Sequence, residues 1–436
     1  MPKTSPGSSP HLNGVAHREL FLHLLLDFTL PTNATKVVMP WSMRTKPIDP
    51  RDTLCRRWIT AAYESASGAR SGLLHNAMLT ASLFVLAKEQ DKRSLLIPAM
   101  QSYQKMLVLV RRQLTISTEL TDDRNPDLAV ARTCLWLAFI ELLANNSFIG
   151  SDVHLSGIEV LLRQAGPHCL GQSRALRCIF FEHRLISISS VCLQRTGVPF
   201  YANPAWINFP GRESCEFANR RINMLIDLAC GIPSIMVDMD LKSDIGLSTL
   251  LIRTQSLLRQ MYDWHQRFIG DEEGASTFID EQSRDDEVFP HKIHFSDFNL
   301  AATVLWYYGF RILCTEIIGK LCDRLRKVGK DRKSDNRHSD KINNNGVADV
   351  LSGTRSIALA DMLTSARYIC RSMDYMLDYR RGIVGQMAAQ FPLCTASRGF
   401  EFAADKCGED LTLEMAWCRL VVERFAEEAY KIARPF

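Results

Sequence analysis

The 436-residue sequence lacks any apolar run approaching the roughly 18–20 residues that span a bilayer. Its richest stretch, Leu20 to Leu30, is short and contains His23 and Asp27, which reads as a core helix. No Cys-x-x-Cys pair occurs, although there are 13 cysteines, so a structural zinc cluster within the chain is not expected. Neither Gly-x-Gly-x-x-Gly nor Gly-x4-Gly-Lys occurs; Gly319-Lys320 and Gly329-Lys330 lack the upstream glycine. Dinucleotide and phosphate-loop readings therefore fail on the spacing that lets the backbone reach a phosphate. An excess of one charge is missing too: 52 Lys and Arg stand against 48 Asp and Glu, net +4, so no basic footprint of a dedicated nucleic-acid binder covers the whole chain. No secretory signal stands at the N-terminus, so the scattered cysteines read as reduced, mostly buried thiols. The sequons at Asn33 and Asn145 then carry no weight. Cytoplasm or nucleus is the expected location.

What is present is helical. Hydrophobic residues make up 46% and charged residues 23%, enough apolar side chain for a large core. Residues 1–16, rich in Pro, Gly and Ser, read as a disordered tail. Helices are expected over 17–28, 51–66, 73–87, 128–143, 152–162, 174–194, 217–230, 243–268, 297–328 and 409–432. Pro98 is read as the first turn of a further helix, whose stripe is Tyr103, Met106, Leu107, Val110 and Leu114. Leu359, Met362, Leu363, Ala366, Ile369, Cys370, Met373, Met376 and Leu377 keep a helical period for five turns. Residues 197–215 hold Pro199, Pro204 and Pro210 around Phe200 and Trp206, an irregular connection with aromatics to pack down. Residues 270–287 read as a solvated loop, and about 326–350 as a polar linker. Alternating strand runs with hairpin signals are missing. The fold class is all-α, an array of antiparallel helix pairs in one large domain over 17–436.

Motifs that could carry chemistry are few. Gly68-Ala-Arg-Ser71-Gly72 is off by one from a nucleophile elbow and lies between helices, so it reads as a connector. His291 and His294 with Asp297 could be metal ligands, but the same stretch reads as a helix start capped by Ser296 or Asp297. No catalytic, cofactor or metal residue is assigned. Arg324, Arg326, Lys327, Lys330, Arg332 and Lys333 crowd into residues 324–333 and form a candidate nuclear-import or phosphate-contacting segment. Interspersed Asp323, Asp331, Asp335 and Asp340 favour a plain solvated linker instead. Trp136, Phe139, Trp306, Tyr307, Tyr308 and Phe310 read as core; the alternative is a pocket for an apolar small-molecule effector.

Three stretches carry a family resemblance: Gln101 to Leu114; His154-Leu-Ser-Gly157-Ile-Glu-Val-Leu-Leu162 after Leu135 to Leu143; and Gln390-Phe391-Pro392-Leu393 with Ala396, Arg398 and Trp417. In these the chain resembles the C-terminal regulatory domain of fungal binuclear zinc cluster transcription factors. The resemblance implies an all-helical domain that modulates transcription of a fungal gene set, such as one for secondary metabolism. It also implies a nuclear location, dimerisation, and other transcription factors or co-regulators as partners. Members of that family usually begin with a six-cysteine zinc cluster, whereas the first cysteine here is Cys55. The expectation is a regulator lacking its own zinc cluster, with the DNA contact supplied by a partner or by an upstream exon, and no direct DNA binding by this polypeptide. Two other readings remain: a helical enzyme of unassigned chemistry and a dimerisation scaffold.

Overall fold

Apolar residues at three- and four-residue steps turn nearly all of the described chain into helix. A computed structural model of the protein describes residues 72–89, 93–120, 128–145, 148–216, 218, 220–241, 246–270, 277–280, 288–335, 343–378 and 382–433. The expected tail at 1–16 and helices at 17–28 and 51–66 lie outside the described residues. The fold is all-α. The chain divides into two units, residues 1–32, 55–161 and 426–436 in one, and 33–54 and 162–425 in the other.

The first unit holds α1 (Gly72–Glu89), α2 (Arg93–Leu120), α3 (Leu128–Asn145) and most of α4 (Phe148–Ala165). Helix α1 packs on α2 and α3. Residues Thr133 to Ile140 of α3 are buried without interruption, as a helix that is apolar on all sides must be. Trp136 and Phe139 meet edge-on at 5.5 Å inside it. Two expectations for α2 change. Pro98 is inside the helix rather than in its first turn, because Arg93 to Ile97 are already helical. The buried line is Leu96, Ala99, Met106 and Val110, and Leu107 is exposed on the neighbouring face.

The second unit contains α5 (His168–Gln172), α6 (Arg174–Gln194), α7 (Pro204–Ile207), α8 (Arg221–Ala229), α9 (Gly231–Leu241) and α10 (Leu247–His265). Then come strands β1 (Thr277–Asp280) and β2 (Lys292–Phe295), followed by α11 (Phe298–Asp335), α12 (Asn343–Arg371), α13 (Met373–Met376), α14 (Gly382–Cys407) and α15 (Thr412–Ala433). Ser173 caps α6 by accepting from Leu176 N at 3.2 Å, and Arg195, in the left-handed region at φ 57°, ends it. Helix α11 is the hub: α10, α12 and α14 all pack on it, and α12 packs on α14. Close approach is licensed by small residues. A Cβ on Gly309 would stand 3.0 Å from Phe391, and one on Gly399 3.1 Å from Ile312. Phe391 and Phe400 are fully buried there, each contributing roughly 2–3 kcal/mol of apolar transfer.

Four sequence readings are corrected in this unit. Helix α14 is not assigned by the periodicity, because Pro392 interrupts it. The solvated loop contains β1, paired antiparallel with β2 in the register Thr277 with Phe295 and Asp280 with Lys292. The polar linker at 326–350 is largely helix: α11 continues to Asp335 and α12 starts at Asn343, because Lys, Arg and Asp side chains need no burial to sit on a solvated helix. Finally, Arg221–Leu241 is long and apolar enough to cross a membrane by length and composition, although 61% of that window is buried and the helix is broken at Cys230.

Candidate functional site

The Pro-rich connection after α6 folds down through its aromatics. Pro204 stands at the first position of α7, and Asn203 caps it, accepting from Ala205 N at 2.9 Å. Trp206 stacks on Phe180 of α6 at 5.5 Å and meets Phe200 edge-on at 4.8 Å. This connection forms one wall of a cleft of about 670 Å³. The ends of α8 and α9 supply Asp227, Cys230, Gly231 and Ser234; α10 supplies Arg253, Leu257 and Gln260; the last turn of α4 supplies Arg163. Gly231 has no side chain where one would be 3.2 Å from Leu257, so α9 and α10 close on each other at this point.

Charge is organised around Asp227. Its Oδ1 accepts from Nη2 of Arg184 and its Oδ2 from Nη2 of Arg212. Arg212 also donates Nη1 to the carbonyl of Ile207 at 2.6 Å, which ties the connection to α8. The Arg184 side chain has no exposed surface. Its Nε and Nη1 have no hydrogen-bond partner; instead the guanidinium lies over the rings of Phe180, Phe181 and Tyr201 at 5.2, 5.6 and 5.6 Å. Burial is the largest single influence and works against its charge, but Asp227, Cys230 and Tyr201 together hold its pKa above the ordinary value. Arg253 donates to Asp238 and to Ser234 Oγ, each at 3.0 Å. The Arg163 guanidinium lies over the Phe200 ring at 5.1 Å. Burial pushes the Cys230 thiol up to about 11, with Arg184 pulling the other way.

In the first unit a smaller polar cluster joins three elements. The Tyr103 hydroxyl of α2 donates to Glu141 Oε1 of α3 and is 2.9 Å from His154 Nε2 of α4. Gly150 leaves room for the Glu141 carboxylate. Burial and then Glu141 raise the Tyr103 pKa. Burial lowers that of His154 below 6.5, with Glu141 opposing.

Of the basic segment, the structure gives the described side chains of Arg324, Arg326 and Lys327 no contact with either cluster. Arg324 reaches back to the carbonyl of Met239 at 2.7 Å, satisfying a group in the last turn of α9. Arg326 is half-buried and Lys327 exposed. Lys330, Arg332 and Lys333 lie in the helical part of α11, with side chains outside the described residues.

His294 lies in β2 and His291 immediately before it, just ahead of the helix start that the sequence implied. The His291 carbonyl accepts from Arg371 Nε at 2.7 Å, and His294 meets Tyr375 edge-on at 6.3 Å. Asp297 is the cap, accepting from Leu300 N at 2.6 Å. Among the described residues no group of three His, Cys, Asp or Glu could hold a metal ion, and the cysteines are free thiols. Trp306, Tyr307 and Phe310 are buried core, as are Trp136 and Phe139.

The sequence pointed to the aromatic wall of the cleft through Phe200 and Trp206 between prolines, but Arg163, Asp227 and Arg253 carry no linear signal. They lie on separate helices, and their convergence is a product of packing. Comparison with protein-family models, with curated proteins and with solved structures finds no match to this chain.

Proposed function

We propose that this chain is a transcriptional regulator or co-regulator of a fungal gene set, acting in the nucleus through a helical regulatory domain with other transcription factors or co-regulators. One observation carries the reading. The Gln101–Leu114 and His154–Leu162 stretches, which resemble the regulatory domain of fungal zinc cluster factors, meet in the fold through the Tyr103–His154 contact at 2.9 Å. Gly157 of the second stretch faces Cys134 of α3, where an added Cβ would be 3.8 Å from the sulfur. The third stretch also has a structural place: Phe391 and Leu393 are buried in α14. Residues that carry a resemblance and also hold helices together are what a shared architecture requires.

The cleft supports binding more than catalysis. Both oxygens of Asp227 are taken by arginines, Ser234 Oγ accepts from Arg253, and the Cys230 thiol is held protonated by burial.

The test is transcriptional. Deletion of the gene, with transcripts measured genome-wide, is expected to change a defined gene set, and a fluorescent fusion is expected in the nucleus. An unchanged transcriptome with a fusion excluded from the nucleus would remove the proposal.

A further inference from the structure

One face of α12 is bare. Helices α11 and α14 pack on the other side, where Ala358, Leu359, Met362, Leu363 and Ala366 are buried. Opposite them, Val350, Gly353, Ile357, Ala360, Thr364 and Arg367 are exposed. These six recur at alternating steps of three and four residues, the spacing of a coiled-coil seam. Val350 is 68% exposed and Ile357 72%. No exposed residue from Val350 to Thr364 is charged. The charged residues of that stretch, Arg355 and Asp361, turn back and pair with Asp323 and Arg311 of α11. A helix face that meets only water is ordinarily the charged one.

This face can also lose its water at little cost. Thr364 Oγ1 donates to the carbonyl of Ala360 at 2.9 Å, and Ser356 Oγ to that of Ser352 at 3.1 Å, so both hydroxyl protons are satisfied inside the helix. Gly353 stands within the helix, where glycine is weaker than alanine. A Cβ there would meet nothing within 4 Å, in contrast to Gly309 and Gly399, so the packing of this chain does not require it. A helix approaching from outside would.

The same face of a second copy, run in the opposite direction, fits it. A two-fold axis midway between Ile357 and Ala360 sets Ile357 against Ala360 of the second copy, Thr364 against Gly353, and Val350 against the aliphatic stem of Arg367, whose Nη2 is held by Glu414 at 3.2 Å. Large side chains then meet small ones along the seam. A parallel pair would instead set Gly353 on Gly353 and Ala360 on Ala360, leaving gaps, and would align two exposed Asp349 carboxylates. With no charge from Val350 to Thr364, identical faces do not repel and an oppositely charged partner finds nothing there to pair with. We propose that this chain forms an antiparallel homodimer through the α12 face from Val350 to Arg367. The family resemblance implies dimerisation without naming a surface; this surface is read from α12 and does not rest on the regulatory reading. A seam of about 26 Å is short for an interface, so monomer and dimer exchange, in roughly the micromolar range.

Sedimentation velocity of the full chain between about 1 and about 100 µM tests it, and a monomer–dimer equilibrium is expected. Ile357→Arg, at an exposed position, removes two apolar knobs and brings two cations to the axis, and is expected to weaken the dimer at least about tenfold. Leu241→Arg, on an exposed leucine of α9, is expected to leave it as it was. Benzoylphenylalanine in place of Val350, activated by light, is expected to cross-link two copies, with the attachment near Arg367 of the second. Near-ultraviolet circular dichroism confirms that each variant is folded. A chain that stays monomeric throughout, a dimer undiminished in folded Ile357→Arg or equally weakened by Leu241→Arg, or attachment near Val350 or outside α12 would overturn the proposal.

Discussion

The indole Nε1 of Trp306 donates to the carbonyl of Ala388 at 3.1 Å, the carbonyl that Pro392 leaves without its helical partner. Proline has no N–H to give the residue four positions before it, so a proline inside α14 creates an orphan acceptor in a half-buried place. Helix α11 fills the gap from outside. The Trp306 ring also packs on Phe391 at 4.9 Å, the residue next to the proline.

This relationship predicts a coupling. Trp306→Phe keeps an aromatic ring and loses the donor, and is expected to destabilise the protein by about 1–2 kcal/mol through an unsatisfied half-buried carbonyl and the smaller ring. With Pro392→Ala in the background, the alanine N–H restores the helical bond. The same Trp306→Phe change should then cost clearly less. Urea unfolding of the four proteins of the cycle measures this, and equal costs in both backgrounds would dismiss the coupling.

The pair of Arg184 and Asp227 predicts an asymmetry. Asp227→Asn strands a guanidinium that has no exposed surface, and is expected to cost about 3–5 kcal/mol. Arg184→Met leaves Asp227 paired with Arg212 and places an apolar chain among Phe180, Phe181 and Tyr201. It should cost at least about 1 kcal/mol less than Asp227→Asn, because no uncompensated charge is left buried. Denaturant midpoints decide it; equal losses, or the reverse order, would mean that the charge is not what Asp227 compensates.

His154 predicts a pH dependence. Burial lowers its pKa in the folded state below the 6.5 of the free side chain. Below 6.5 the unfolded chain therefore binds more protons than the folded one, so stability falls as pH drops from 6.5 toward the folded value. His154→Gln keeps a polar group facing the Tyr103 hydroxyl and removes the titration. Thermal melts at about pH 7.5 and about pH 5.5 should show a smaller drop in Tm for His154→Gln than for the parent, since the titrating imidazole is gone. An equal drop in both would assign the acid sensitivity to other groups.

Much of the helical framework was legible because it is a matter of local period. The pattern predicts α6 at 174–194, as found, and α1, α3, α10 and the start of α11 within a few residues. In α10, Leu247, Leu250, Leu251, Leu257 and Met261 are buried as their spacing implies. Failures occur where a local signal competes with a distant partner. Pro392 says break, and Trp306, far away in the chain, makes the helix acceptable. Leu107 falls on the stripe of α2 read from the sequence, yet the buried line runs through Met106 and Val110 and Leu107 is exposed. Polar residues 326–335 say linker, yet the helix begun by the apolar turns of α11 continues through them, since propagation adds one hydrogen bond per residue once a nucleus exists.

The sequence by itself determined the class of the fold, the place of most helices and the burial of the Trp136 and Trp306 clusters, because a 3.6-residue period and an apolar face are properties of neighbours along the chain. Only the tertiary structure decided the cleft, the doubly paired Asp227 and the donor for Ala388. Those are meetings between helices, and which side chains face each other across a helix pair depends on crossing geometry and on small residues such as Gly231 and Gly309 that let the backbones close. No linear pattern encodes that geometry.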